Sequence, residues 1–154
     1  MAPLWELCKE GNLAGVRAAL ARGEDVNNGR GSFNRTGLML AVLNKHNSIV
    51  RLLLEQPTVD LNCTDIHGYT ALHYAAFHGD VEAVRLLLAD PRLNTTNHKE
   101  INESQTPVMI AMSCYKMNAL HELVAHPSVD LDTRDGEGNS LEDWARWGGL
   151  TINH

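Results

Sequence analysis

Cysteine is scarce in this chain. Cys8, Cys63 and Cys114 are the three present in 154 residues, widely spaced and without a Cys-x-x-Cys pair. That excludes a disulfide framework, offers no zinc-ligand spacing, and points to reduced thiols in a cytoplasmic or nuclear protein. Positive charge is also short. Thirteen Lys and Arg face nineteen Asp and Glu, for a formal net charge of -6, and no basic cluster stands out. Such a surface is a poor partner for a phosphate backbone, so nucleic acid is not expected as a ligand. Long apolar runs are missing. Ile49 to Leu54 is interrupted by Arg51, well short of the roughly 18–20 residues of a membrane helix, and the start lacks the basic flank and apolar core of a signal peptide. Catalytic signatures are missing too: no glycine-rich phosphate loop, nucleophile elbow or Walker motif occurs. His46, His67, His78, His121 and His126 are scattered without metal-ligand spacing. No enzyme activity, cofactor, metal site or membrane contact is therefore expected.

What the chain does have is internal repetition. Thr70-Ala71-Leu72-His73-Tyr74-Ala75-Ala76 is echoed 34 residues earlier at Thr36-Gly37-Leu38-Met39-Leu40-Ala41-Val42, and 36 residues later at Thr106-Pro107-Val108-Met109-Ile110-Ala111-Met112. A second element keeps the same phase: Ile49 to Leu54, Ala83 to Leu88 and Ala119 to Val124. Behind each follows Gln56-Pro57, Asp90-Pro91 or His126-Pro127. Degenerate copies flank these, Leu4 to Leu20 at the start and Asp135 to Ala145 at the end.

This pattern resembles the ankyrin repeat, most closely at Asp65-Ile66-His67-Gly68-Tyr69-Thr70-Ala71-Leu72-His73. The resemblance covers nearly the whole chain. It implies an all-α solenoid of helix-turn-helix units joined by β-hairpin-like loops, with about three full repeats and degenerate ends. The implied units are an N-terminal cap over 1–30, repeats over 31–64, 65–98 and 99–134, and a partial repeat over 135–154. Thr36, Thr70 and Thr106 are expected at helix N-caps, Pro107 at a first helical position, and Gly11 and Gly79 between paired helices. Gly68 is expected at a hairpin tip with positive φ. Small residues at Ala41, Ala75, Ala76 and Ala111 would let first helices approach. The leucines of the second helices supply a stripe that no repeat buries alone. His73 is expected to bond the capping threonine and a neighbouring backbone group, bonds that Met39 and Met109 cannot make.

The same resemblance implies a protein partner, held by hairpin tips and the concave face of the first helices. Transferred onto this chain, the variable positions are Ser32, Phe33, Arg35, Leu43 and Asn44; then Ile66, His67, Tyr69, Phe77 and His78; then Asn102, Glu103, Gln105, Ser113 and Cys114. Aromatics are few, eight in all, and Phe33, Tyr69 and Phe77 fall on this stripe, which marks the second and third repeats as its centre. Two hairpins depart from the pattern. Gly29 to Arg35 is glycine-rich and basic through Arg30 and Arg35, and Asn97 to Gln105 carries a two-residue insertion, a frequent contact site in repeat arrays. After Trp147-Gly148-Gly149 only Leu150 to His154 remains, too short for a second helix. Trp144 and Trp147 are thus candidate end-face contacts, covered by a partner, by further sequence, or by a second copy in a weak homodimer; a monomer is the alternative. Two other readings stay open: an N-terminal structural fragment of a larger ankyrin-repeat protein, and a small inhibitor of an enzyme such as a kinase. Against the latter, Gly37 to Asn44 forms a normal first helix where small ankyrin inhibitors of cyclin-dependent kinases have a degenerate one. Asn27 and Asn62 stand where asparaginyl hydroxylases act on such repeats.

Overall fold

A computed structural model describes residues 1–28 and 32–150. Gly29, Arg30 and Gly31 of the basic hairpin, and Thr151 to His154 of the tail, lie outside the described residues. The described chain forms four helix pairs and a last single helix: α1 (Leu4–Glu10) with α2 (Leu13–Ala21), α3 (Gly37–Leu43) with α4 (Asn47–Leu54), α5 (Ala71–His78) with α6 (Val81–Ala89), α7 (Pro107–Ser113) with α8 (Met117–Ala125), and α9 (Leu141–Trp147). Helices of seven to nine residues are too short to hold alone in water. Two stacked layers hold them, α1, α3, α5, α7 and α9 in one and α2, α4, α6 and α8 in the other. The first-helix layer packs more tightly because its contacts are small. Ala41, Ala75, Ala76 and Ala111 are fully enclosed, and a Cβ on Gly37 would come within 3.0 Å of the Cys8 sulfur. That layer is the one the resemblance assigns to the inner side of the array. Between the layers lie Leu53, Leu72, Leu87, Met109 and Leu123, all shut from solvent.

Caps begin most first helices. The Thr36 hydroxyl accepts the Met39 N–H and the Thr70 hydroxyl accepts the His73 N–H, each at 3.3 Å, and Ser140 does the same for Asp143 at 3.2 Å. Thr106 departs from expectation. It sits at the N-cap of α7, but its enclosed hydroxyl makes no cap bond, and Pro107 alone sets the helix entry. The turn that joins each pair repeats one left-handed residue, Gly11, Lys45, Gly79 and Tyr115, with φ of 78, 59, 64 and 55°, and Gly149 after α9 repeats it at 69°. Glycine adopts that conformation freely, whereas Lys45 and Tyr115 hold it against their own Cβ.

Repeats are joined by an asparagine ladder. Asn27, Asn62 and Asn97 each donate Nδ2–H to a carbonyl of the next repeat, Thr58 at 2.7 Å, Arg92 at 2.9 Å and Ser128 at 2.8 Å. Each also accepts a backbone N–H there, from Asp60, Asn94 and Asp130. Arg92 adds a clamp: held by Asp90, its guanidinium donates to the Leu54 and Gln56 carbonyls at the end of α4.

The hydrogen-bond register divides the expected insertion in two. One extra residue lies where Asn94 still answers Asp60 as the acceptor's partner but Thr95 already occupies its place in the next turn, with His98 N–H on the Thr95 carbonyl as Asn28 N–H is on Asp25. The other lengthens the hairpin tip, which closes from Asp65 to Tyr69 in the third repeat but from Glu100 to Gln105 in the fourth. The longer glutamate side chain spans the longer tip, accepting the N–H groups of Asn102, Glu103 and Gln105.

Candidate functional site

Successive hairpin tips are bonded edge to edge. Ile66 N–H meets the Phe33 carbonyl at 3.1 Å, Ile101 N–H the His67 carbonyl at 2.9 Å, and Gly136 N–H the Glu103 carbonyl at 2.7 Å. Gly68, with φ of 78°, admits this stacking, since a Cβ there would stand 3.1 Å from the Ile101 nitrogen. The tips therefore form a continuous rim beside the inner layer of first helices.

His73 ties helix to rim. Its Nδ1 accepts the Thr70 N–H at 3.1 Å, which leaves Nε2–H to donate to the Gln105 carbonyl of the next tip, also at 3.1 Å. Burial, opposed in part by that bond, pulls its pKa down to about 4, so the ring is neutral at physiological pH. Its work is structural, as expected. A second device recurs two repeats apart. Tyr74 donates its hydroxyl to Asp65, and Trp144 donates Nε1–H to Asp135 at 3.0 Å, from the same place in α5 and α9. Each aspartate also accepts two N–H groups of its own tip. Burial and the Asp65 bond push the Tyr74 phenol upward.

The residues anticipated at a partner surface divide by exposure. Phe33, Ile66 and Phe77 are open large side chains at 49, 55 and 49%. Ser32, Asn44, Asn102 and Glu103 are also exposed, though Asn44 donates Nδ2–H to the Leu40 carbonyl and so caps α3. Leu43, His67, Tyr69, His78, Ser113 and Cys114 are half-buried. Tyr69 packs 5.5 Å from both the His73 and Tyr74 rings, and burial with the nearby carboxylates raises its pKa. Arg35 is engaged inside the fold: its guanidinium lies 4.8 Å from the Phe33 ring centre and 5.1 Å from that of Tyr74, and Nε donates to the Tyr74 hydroxyl at 3.0 Å. Gln105 is buried, its backbone spent on His73 and Glu100. Phe33 and Asn34 both have positive φ, 63 and 61°, so an exposed ring is held in a strained turn.

At the C-terminal end Trp144 is half-buried and pinned, whereas Trp147 is 65% exposed, edge-on to Trp144 at 5.5 Å. The register gives Trp147 a second meaning. Counted from the caps Thr36, Thr70, Thr106 and Ser140, the seventh helical positions are Leu43, Phe77, Ser113 and Trp147. Trp147 thus continues the inner row rather than belonging to the end face alone. Ile101 and Tyr115, 68 and 62% exposed, lie outside the expected contact positions. Ile101 was legible as the counterpart of Ile66 on the next tip; Tyr115 was masked by standing where its neighbours have glycine.

Elsewhere, a cleft of about 550 Å³ between α6 and α8 is lined by Val81, Arg85, Met117, Asn118, His121 and Glu122. Arg85 and Glu122 pair across it at 2.6 Å. Among the described residues no group of three or more His, Cys, Asp or Glu is placed to hold a metal, and no helix is long and apolar enough to cross a membrane. Burial raises the Cys8 thiol to about 12, which keeps it protonated and inert.

Comparison with known proteins agrees with this architecture. A family model described as ankyrin repeats (3 copies) matches residues 4–97. The chain is 34% identical over 106 residues to BTB/POZ domain-containing protein 1 of Schizosaccharomyces pombe, covering 68% of this chain and 7% of that protein. It is 44% identical over 55 residues to Inversin of Danio rerio, covering 35% of this chain and 5% of Inversin. It is 32% identical over 115 residues to the putative ankyrin repeat protein FPV031 of Fowlpox virus, covering 72% of this chain and 33% of that protein. The match thus spans a third or less of each of these relatives. Ankyrin repeats are in general protein-interaction modules rather than enzymes, and this chain belongs to the ankyrin-repeat family.

Proposed function

We propose that this chain is a non-catalytic module that binds a protein partner through its hairpin tips and the inner face of its first helices. The observation that carries the reading is the exposed apolar row on that side: Phe33, Ile66 and Ile101 along the rim, Phe77 and Trp147 on the helix row. Several large apolar side chains held open on one side of a small fold are a usual mark of an interaction surface. Rigid aromatics contribute most there, because they lose little entropy on contact. The neutral, doubly bonded His73 and the saturated Asp65 and Asp135 support the same reading, since they stiffen the scaffold beneath the row.

The test is capture from cell lysate, read quantitatively by mass spectrometry, with the wild type against Phe77→Ser/Trp147→Ser. Serine is the residue the fourth repeat itself carries at that place, so the fold tolerates it. Tyr69 is a poorer choice, being packed on His73 and Tyr74. A partner retained by the wild type and lost at least tenfold with the variant supports the proposal. Equal retention by a variant with unchanged melting would remove this face from consideration.

A further inference from the structure

Along the rim, charge is unevenly placed. Among the described residues the N-terminal tips present Ser32, Phe33, Ile66 and His67, with the Arg35 guanidinium enclosed between rings. The C-terminal tips present Glu103 and Glu137, both exposed. Among the described residues neither carboxylate stands in an ion pair. Among those residues Glu103 accepts the Gln105 side-chain amide, at 2.9 Å, and Glu137 that of Asn139, at a long 3.5 Å. Two nearby cations are engaged elsewhere: Lys99 donates to the Arg134 carbonyl, and Arg134 donates to the Gly138 carbonyl and faces Asp143 at 3.9 Å.

These two carboxylates flank a cleft of about 280 Å³ between the last two tips, with Trp144 on its wall. The indole is fixed by its bond to Asp135, whose own oxygens are already filled by the tip and by Asn139. An aromatic wall between open carboxylates suits a cation on a long side chain. Beside the cleft, Trp147 offers an apolar platform 5.5 Å from Trp144.

Resting on the interaction reading above, we propose that the C-terminal half of this face holds a basic segment of the partner protein. Its apolar side chains lie against Trp147 and Phe77, and an arginine or lysine enters the cleft between Glu103 and Glu137. Charge complementarity selects this occupant: an acidic peptide or a nucleic acid would meet the same two carboxylates and be repelled.

The probe is a synthetic pentapeptide of alternating leucine and arginine, and its control is the same peptide with each arginine replaced by neutral, nearly isosteric citrulline. Each is titrated into the ¹⁵N-labelled protein. The arginine peptide is expected to give saturable shifts of the Trp144 indole N–H and the Gly136 amide, at least tenfold weakened for citrulline and for Glu103→Gln/Glu137→Gln, whose exposed positions leave the melting curve unchanged. Equal binding of both peptides, no saturable shift with either, or unaltered binding by the double variant would overturn the inference. Lysate capture separates the two claims. Loss with Phe77→Ser/Trp147→Ser but not with the glutamine pair overturns the basic segment and leaves the face standing. Retention by both variants overturns the face as well.

Discussion

At the scale of single residues, His73 and Lys45 show how the same fold is held by groups of different kinds. His73 is neutral in the folded chain with a pKa of about 4, against about 6.5 when exposed. Between those values the unfolded chain binds a proton that the folded chain does not, so stability rises with pH across that window. His73 therefore stabilises fully above pH 6.5, and the contribution is lost as pH falls toward 4, at up to about 1.4 kcal/mol per pH unit. His73→Met, which copies Met39 and Met109, is expected to flatten that part of the profile in urea denaturation series between pH 4 and 7. Lys45 has a simpler lesion, a left-handed backbone at φ 59° where Gly11 and Gly79 stand in the neighbouring repeats. Lys45→Gly should stabilise by about 0.5–1 kcal/mol, the left-handed penalty less the entropy glycine gains when unfolded. Gly79→Ala should destabilise by about 1 kcal/mol. Equilibrium urea melts check both signs. The role of His73 was legible in the sequence through the motif it belongs to. The strain at Lys45 was not, because nothing in a lysine announces the φ that its neighbours impose.

Between elements, cohesion runs through the asparagine ladder as much as through leucine burial. Asn97 is the rung that fastens the third repeat to the fourth, with bonds of 2.8 and 2.7 Å to Ser128 and Asp130. Asn97→Ala should cost about 1–2 kcal/mol, roughly the net worth of two hydrogen bonds. In a linear array the loss should be local, so amides of α8 and α9 are expected to exchange faster while those of α3 and α4 keep their protection. Uniformly faster exchange would instead mean that the repeats unfold as one block. The helices and their order were legible from the 34- and 36-residue echoes, because apolar spacing survives divergence. Where the insertion sits was not, since its two residues fall on either side of Asn97 and only the cross-repeat bonds separate them. The failed cap at Thr106 was hidden for a similar reason: the hydroxyl is present, but its geometry is a property of the folded neighbourhood.

For the molecule as a whole, the exposed aromatic side is the feature on which the proposed binding surface rests. The sequence marked Phe33 and Phe77 on this side and placed Trp147 at an open end, because a count of repeats does not show that the last helix continues the inner row. It also offered Arg35 and Gln105 as contacts, which the fold engages internally through partners 39 and 32 residues away. Such long-range pairing leaves no local sign. The most direct test of the interaction surface is site-resolved photocrosslinking in lysate. A photoreactive amino acid is placed at Phe77 in one preparation and at His121, exposed on outer helix α8, in another. The account predicts a discrete, competable adduct from position 77 and none from position 121. The same adduct from both positions, or one from position 121 alone, would contradict it.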